Sequence, residues 1–360
     1  MQMDARGILA HRLSRQRLAG EPFATPEAAV RFLVAVQSQD EAGARWSLGQ
    51  RAAGATDASV AAARDAGTIL RTHVLRPTWH FVLPEDIRWL LDLTAPRVLL
   101  RNGTMERKLG IDAEIVARSQ GIFADALRDG AYRTRADLAT LLGAAGIPAE
   151  GQRLAYIVMR AELDGLICSG PSRGNRQTYA LLDERAPHAR RLGREEALAE
   201  LTRRFFDGHG PATLKDFVTW SGLAVAAAKQ GLASAEEGLE RAVVDGETYW
   251  FAADPPSPAP TVGAAYLIPE YDEVVLTYKG LTFPDLPWTR DPAGWPDTFY
   301  RPVLVDGRRV GTWRRTVCRD RITLEVALFA TLGSDGAQAL NRAVGRYAAF
   351  MGVPVDLVPV

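Results

Sequence analysis

The stretch TRADLATLLGAAGIPAEGQRLAYIVMRAELDGLICSGPSRGNRQTYAL, residues 134–181, spells out one folding unit. Thr134 followed three residues later by Asp137 has the form of a capping box, with Asp in place of the usual Glu. It opens a short helix that ends at Leu142-Gly143. Residues 150–164 carry Leu154, Ile157, Val158 and Ala161 at the three- and four-residue spacing of a helix with one apolar face. Leu166–Ser169 and Gln177–Leu181 are read as strands. The link between them, residues 170–176, is glycine-rich and basic. Helix, turn, helix and basic-tipped hairpin together predict a winged helix-turn-helix.

The same order recurs on both sides, as a repeat of architecture and not of sequence. Upstream, a helix at 8–18 is followed by Thr25-Pro26-Glu27, an N-cap with proline in the first turn. The helix this opens is expected to run out near Gln37-Ser38-Gln39. Helices at 42–53 and 58–66 and strands at 69–74 and 78–82 follow, turning at Leu75-Arg76-Pro77. A helix at 84–93 and another at 112–128 lead into the unit quoted above. Downstream, a helix at 194–206, a repeat of the capping pattern at Thr213–Asp216 and a helix at 224–230 precede strands at 239–244 and 248–252, joined by Asp245-Gly246, a tight-hairpin signal. Residues 254–260 form a proline-rich, stiff linker. Beyond it, strands are expected at 265–268, 274–276, 299–305, 310–316 and 322–329, then a last helix at 336–351. The expected fold is α+β, mainly α. It has winged-helix units at 1–110, 111–190 and 191–260 and a β-rich segment at 261–360.

The 360 residues are 47% hydrophobic and 24% charged, as in an ordinary globular protein of two or three domains. No apolar run is long enough to span a membrane, and the N-terminus lacks the pattern of a secretory signal. Two cysteines, Cys168 and Cys318, cannot make a disulfide framework, and a reducing cytoplasm is expected. The 43 basic residues balance 43 acidic ones, but only four of the basic ones are lysines. Seven arginines and two aspartates lie between 301 and 321, and Arg308, Arg309, Arg314 and Arg315 straddle a hairpin there. Arg173 and Arg176 flank the tip of the quoted unit. The doublet Asp272-Glu273, with Glu270, reads as acidic compensation elsewhere. A neutral total can thus carry one basic face, and wing-type hairpins with basic tips point to DNA.

The five histidines form no HxH or HExxH pattern, no Cys/His cluster exists, and no metal or cofactor is expected. A phosphate-binding glycine loop and a nucleophile elbow are both missing. The segment Gln37-Ser38-Gln39-Asp40-Glu41 bunches hydrogen-bonding groups at the end of an apolar helix. Two residues apart on a helix do not share a face, so the glutamines converge only where the helix has ended.

Four blocks in order, AVQSQD at 35–40, RTHVLRPTWHFV at 71–82, YDEVVLTYKG at 271–280 and DGRRVGTWRR at 306–315, resemble the winged-helix DNA glycosylases of the AlkZ and YcaQ type. The resemblance spans about residues 6–353. It is nearer the AlkZ branch, whose motif is Gln–x–Gln, than the branch with Asp in the second place. Ser38 departs from the usual apolar middle residue. A C-shaped arrangement of the units with a concave DNA-binding cleft is expected from this resemblance. The resemblance implies a monofunctional glycosylase, acting as a monomer on double-stranded DNA that carries N7-alkylated guanine. Its lesions include bulky adducts and azinomycin-type crosslinks, in repair or self-resistance. It implies Gln37 and Gln39 as catalytic residues. Asp40 competes with them as a base, and His80 is a further candidate. Arg308 and Arg309 are expected to touch DNA. Trp79 is expected in the core, with Thr78 and His80 on the opposite face. The rival readings are a winged-helix regulator without catalysis and a scaffold for a protein partner.

Overall fold

The computed structural model describes residues 4–253, 262–279 and 301–359. The proline-rich linker at 254–260 and the start of the strand expected at 299–305 lie outside the described residues.

Along the chain, the first elements are α1 (Ala5–Arg15), α2 (Pro26–Leu33), β1 (Val36–Gln37), α3 (Glu41–Gly49), α4 (Asp57–Ala66), β2 (Leu70–His73) and β3 (Trp79–Val82). Then come α5 (Ile87–Lys108), α6 (Ala113–Leu127), β4 (Arg133–Thr134), α7 (Arg135–Ala144), α8 (Gly151–Leu163), β5 (Ile167–Arg173), β6 (Arg176–Leu181) and α9 (Leu182–Arg185). Next are α10 (Arg194–His209), α11 (Leu214–Ser221), α12 (Val225–Ala235), β7 (Leu239–Val244) and β8 (Glu247–Ala252). The remainder is β9 (Ala265–Leu267), α13 (Glu273–Leu276), β10 (Pro302–Val305), β11 (Arg308–Val317), β12 (Ile322–Leu328), α14 (Ser334–Met351) and β13 (Val355–Pro359). They pack as two compact units, one of Met1–Val60, Thr202–Phe217 and Leu232–Val360, the other of Ala61–Leu201 and Val218–Gly231.

The second unit holds the segment quoted first. Thr134 accepts from the Asp137 N–H while Asp137 accepts from the Thr134 N–H, so the capping box is reciprocal. Phe123, Leu138, Leu142, Ile157, Val158, Ala161 and Ile167 close one core beneath α6, α7 and α8. The hairpin β5–β6 is longer than read, with its tip at Gly174-Asn175, and β4 adds a third strand against β6. Strands β2 and β3 pair Leu70 with Val82 and His73 with Trp79. Helix α5 runs on from the expected 84–93 to Lys108, through Pro96, because residues beyond the proline (Val98, Asn102, Glu106) remain buried along it.

The first unit is built around a five-stranded sheet, β13-β12-β11-β10-β9, in which β12 and β13 are parallel. Helix α14 covers it. The Trp46 ring on α3 lies edge-on to Tyr347 at 4.9 Å and against Phe350 at 5.1 Å, and Trp313 of β11 meets Tyr347 at 5.7 Å. Both indoles are anchored: Trp46 Nε1 donates to the Leu267 carbonyl and Trp313 Nε1 to that of Ile268. The two Asp-Gly turns at 245–246 and 306–307 have φ of 51°, 79°, 52° and 73°, the doubly positive pattern of the turn that suits a twisted hairpin. The strand expected at 274–276 is instead the helical turn α13. Asp272 caps it by accepting from the Val274 N–H, and that local bond outweighs the strand preference of Val274 and Val275.

Candidate active site

Helix α2 starts as its sequence demands, with the Thr25 hydroxyl accepting from the Ala28 N–H and Pro26 in the first turn. It ends at Leu33, four residues before the expected end at Gln37. The break is Val34, a β-branched residue held at φ 69°. The chain is then extended at β1, and α3 begins after Asp40. Gln37-Ser38-Gln39 is therefore a linking segment between two helices and not a helix terminus. Gln39 lies in a bend just beyond β1. Gln37 is 5% exposed and Ser38 fully buried, while Gln39 is exposed.

Beneath this segment lies a polar core that the sequence reading missed. Glu273, fully buried, accepts from the Gln37 backbone N–H at 2.8 Å through Oε1 and from the Thr277 hydroxyl at 3.1 Å through Oε2. His209 Nε2 stands 3.6 Å from the same Oε2. Burial, then the charges of Arg51 and Arg12, push the His209 pKa down to about 3, so its ring is neutral. The neighbouring Asp272 takes both Arg51 guanidinium nitrogens, at 2.7 and 2.8 Å, and the Ser47 hydroxyl at 2.6 Å. Burial raises the pKa of Asp272, but the Arg51 charge and these hydrogen bonds overcome that and hold it below the usual carboxylate range. Asp272 is thus a structural anion, Glu273 is a buried hydrogen-bond acceptor beside it, and neither is surface compensation. Their setting inside the largely apolar run YLIPEYDEVVL was the available signal.

Asp40 occupies the N-cap position of α3 without a side-chain capping bond. Its carboxylate lies 3.9 Å from Arg301, which also pairs with Glu270 at 3.2 Å. Burial and a hydrogen bond with Glu270 push the Tyr271 hydroxyl up to about 12, so it stays protonated. Gly43 leaves room for Asp40: a Cβ there would lie 2.8 Å from Asp40 Oδ2 and 3.3 Å from Pro269. The side of the segment open to solvent thus carries Gln39, Asp40 and Arg301.

Several expected DNA contacts are placed otherwise. Arg308 is exposed at the tip of β10–β11, but Arg309 is 4% exposed with its guanidinium 4.8 Å above the Phe329 ring. Strand alternation turns Arg309 inward, so only one of the pair faces solvent. Arg314 makes a bidentate pair with Glu325 across β11–β12, and Arg315 donates to the Tyr347 hydroxyl. Arg173 pairs with Asp137 at 3.0 Å, and Arg176 is exposed. His80 is fully buried and does not face solvent; burial holds its pKa well below the ordinary value. Trp79, expected in the core, is the partly exposed member of that strand, with the Arg71 guanidinium 4.3 Å from its ring centre and its indole N–H on buried Glu162. Among the described residues, no cluster of three or more His, Cys, Asp or Glu could hold a metal, and no helix is long and apolar enough to cross a membrane.

Residues 30–350 match the family described as DNA glycosylase AlkZ-like, and the chain belongs to that family. It is similar to the interstrand DNA cross-link repair glycosylase of Streptomyces sahachiroi, with 27% identity over 232 residues. That match spans 62% of this chain and 62% of the relative's length. The structure of Streptomyces sahachiroi DNA glycosylase AlkZ superposes with a TM-score of 0.81 over the whole of both chains at 21% identity, which establishes a common fold.

Proposed function

We propose that this chain is a monofunctional DNA glycosylase that hydrolyses the N-glycosidic bond of N7-alkylated guanine in double-stranded DNA. The observation that carries the reading is the segment Gln37-Ser38-Gln39, which links two helices in a chain of this family, with the Gln37 backbone anchored to the core and Gln39 exposed. A glutamine amide does not titrate near neutral pH and cannot serve as a general base. It can orient water. N7-alkylguanine already carries positive charge, so its departure needs no protonation. The C1′–N9 bond breaks with its electron pair going to the base, and C1′ passes through an oxocarbenium-like state. Water then bonds to C1′ and gives up a proton to solvent. Holding that water in line supplies several kcal/mol without any acid or base.

The crosslink-repair name of the Streptomyces relative supports bulky adducts and interstrand crosslinks as substrates, in repair or self-resistance. A bulky crosslinked base does not fit a tight pocket, so an open cleft suits it better than full base flipping. Helices α6–α8 with β5–β6 have the order of a winged helix-turn-helix, and the segments before and after are read as two more such units working as a monomer in the cytoplasm. Arg308 and Arg176 are the exposed cations assigned to phosphate. The test is single-turnover excision from a duplex with one N7-methylguanine and from a crosslinked duplex, for wild type and Gln37→Ala/Gln39→Ala. Wild-type excision that is lost in the double variant is expected. Salt-dependent DNA binding without excision of either lesion would leave a DNA-binding regulator instead.

A further inference from the structure

Resting on the reading of Gln37 and Gln39 as the water-orienting pair, we infer that buried Glu273 is a positioning residue that aims this pair through the Gln37 backbone. The segment lies between the Val34 break and the start of α3, and β1 is only two residues long. Glu273 meets it at the backbone, where the hold is independent of the glutamine side chain.

The carboxylate is itself fixed from three sides. Its second oxygen takes the Thr277 hydroxyl, and neutral His209 stands beside it. The adjacent Asp272 locks the base of α13 to Arg51 and Ser47 near the far end of α3. Trp46, in the same helix, is tied to Leu267 of β9. The acid doublet Asp272-Glu273 therefore grips the catalytic segment by its first glutamine and, through α3, by the helix that leaves it. The two carboxyl groups have different tasks: Asp272 holds the helix and Glu273 sets the entry of the segment. Displacement of a reacting group by about 1 Å can cost about a hundredfold in rate, so a hold of this kind acts on catalysis more than on DNA affinity.

The test separates geometry from charge. Single-turnover excision of N7-methylguanine and duplex affinity are measured on the full chain for wild type, Glu273→Gln, Glu273→Asp and Glu273→Ala, with thermal unfolding alongside. Gln keeps the length and an acceptor oxygen for the Gln37 N–H. Asp keeps the charge but draws the acceptor back by one methylene. Glu273→Gln is expected within about threefold of wild type, and Glu273→Asp and Glu273→Ala roughly ten- to hundredfold slower, with duplex Kd unchanged. Should the Ala variant fail to fold, the Gln–Asp contrast alone decides. Asp and wild type excising equally fast, Gln slower than Asp, or rate losses matched by a loss of affinity would each overturn the inference. Active wild type with an indifferent Glu273→Asp overturns this inference alone. Inactive wild type on both lesions overturns the glycosylase reading and this inference with it.

Discussion

Exposed Gln39 and half-buried Asp40 are neighbours in the proposed catalytic segment, and either could face C1′. Their surroundings separate them. Asp40 stands beside the Arg301 guanidinium, which Glu270 also shares, so its charge is partly answered within the protein. Asp40→Asn is expected to change the single-turnover excision rate by no more than about threefold, whereas Gln39→Ala lowers it by roughly a hundredfold, the cost of losing a positioning group. The reverse ordering would transfer the catalytic role to Asp40. Two glutamines two apart are a weak signal by themselves, and only the AVQSQD block's resemblance to the family singled them out. Glu273 was not legible, since a residue 236 positions away meets Gln37 only in the folded chain.

At the scale of elements, the β10–β11 hairpin separates what a charge run promises from what a strand permits. Four arginines were read as a basic face, but alternation sends Arg309 onto Phe329, and cross-strand and helix partners engage Arg314 and Arg315. Only Arg308 at the tip is exposed among the four expected contacts on this hairpin. Replacing a cation that neutralises one phosphate reduces the slope of log Kd against log salt by about 0.9. Arg308→Ala is expected to do this, with Tm unchanged. Arg309→Ala should instead lower Tm and leave the slope alone, as expected for a buried side chain. Titration of a labelled duplex from about 50 to 200 mM salt reads both. An unaltered slope for Arg308→Ala removes the hairpin from the DNA interface. The hairpin itself was legible from Asp306-Gly307, because few residues tolerate two successive positive φ angles.

For the molecule as a whole, buried ionisable groups tie stability to pH. Unfolded His209 takes a proton near pH 6.5, but the folded ring refuses it until about 3. Its contribution is therefore complete above the unfolded value and is lost progressively as pH falls towards the folded one. His80 shifts in the same direction for the same reason. Asp272 adds to the loss at lower pH, because its depressed folded pKa means stability is given up as the carboxylate protonates. The urea midpoint is expected to fall between pH 7.5 and 5, and His209→Gln should flatten that fall. An equally steep fall in the variant would place the linkage elsewhere. Removing the Asp272 carboxylate by Asp272→Ala strands the Arg51 charge in the core, a change that costs about 3–5 kcal/mol for buried pairs in general.

The sequence by itself determined the local grammar: the caps at Thr25, Thr134 and Thr213, the Asp-Gly turns, the apolar faces of α8 and α14, and the Gln–x–Gln spacing. Each depends on residues a few positions apart, whose energies are settled before the chain is packed. Tertiary structure decided the rest. It stopped α2 at Val34, carried α5 through Pro96, coiled the β-prone residues of α13 and added β13 in parallel to β12. It also reversed the exposure expected of Trp79 and His80. Above all it buried Asp272 and Glu273 against Arg51 and Gln37. A charge enters a core only where distant partners meet it, and no local pattern states which partners those will be.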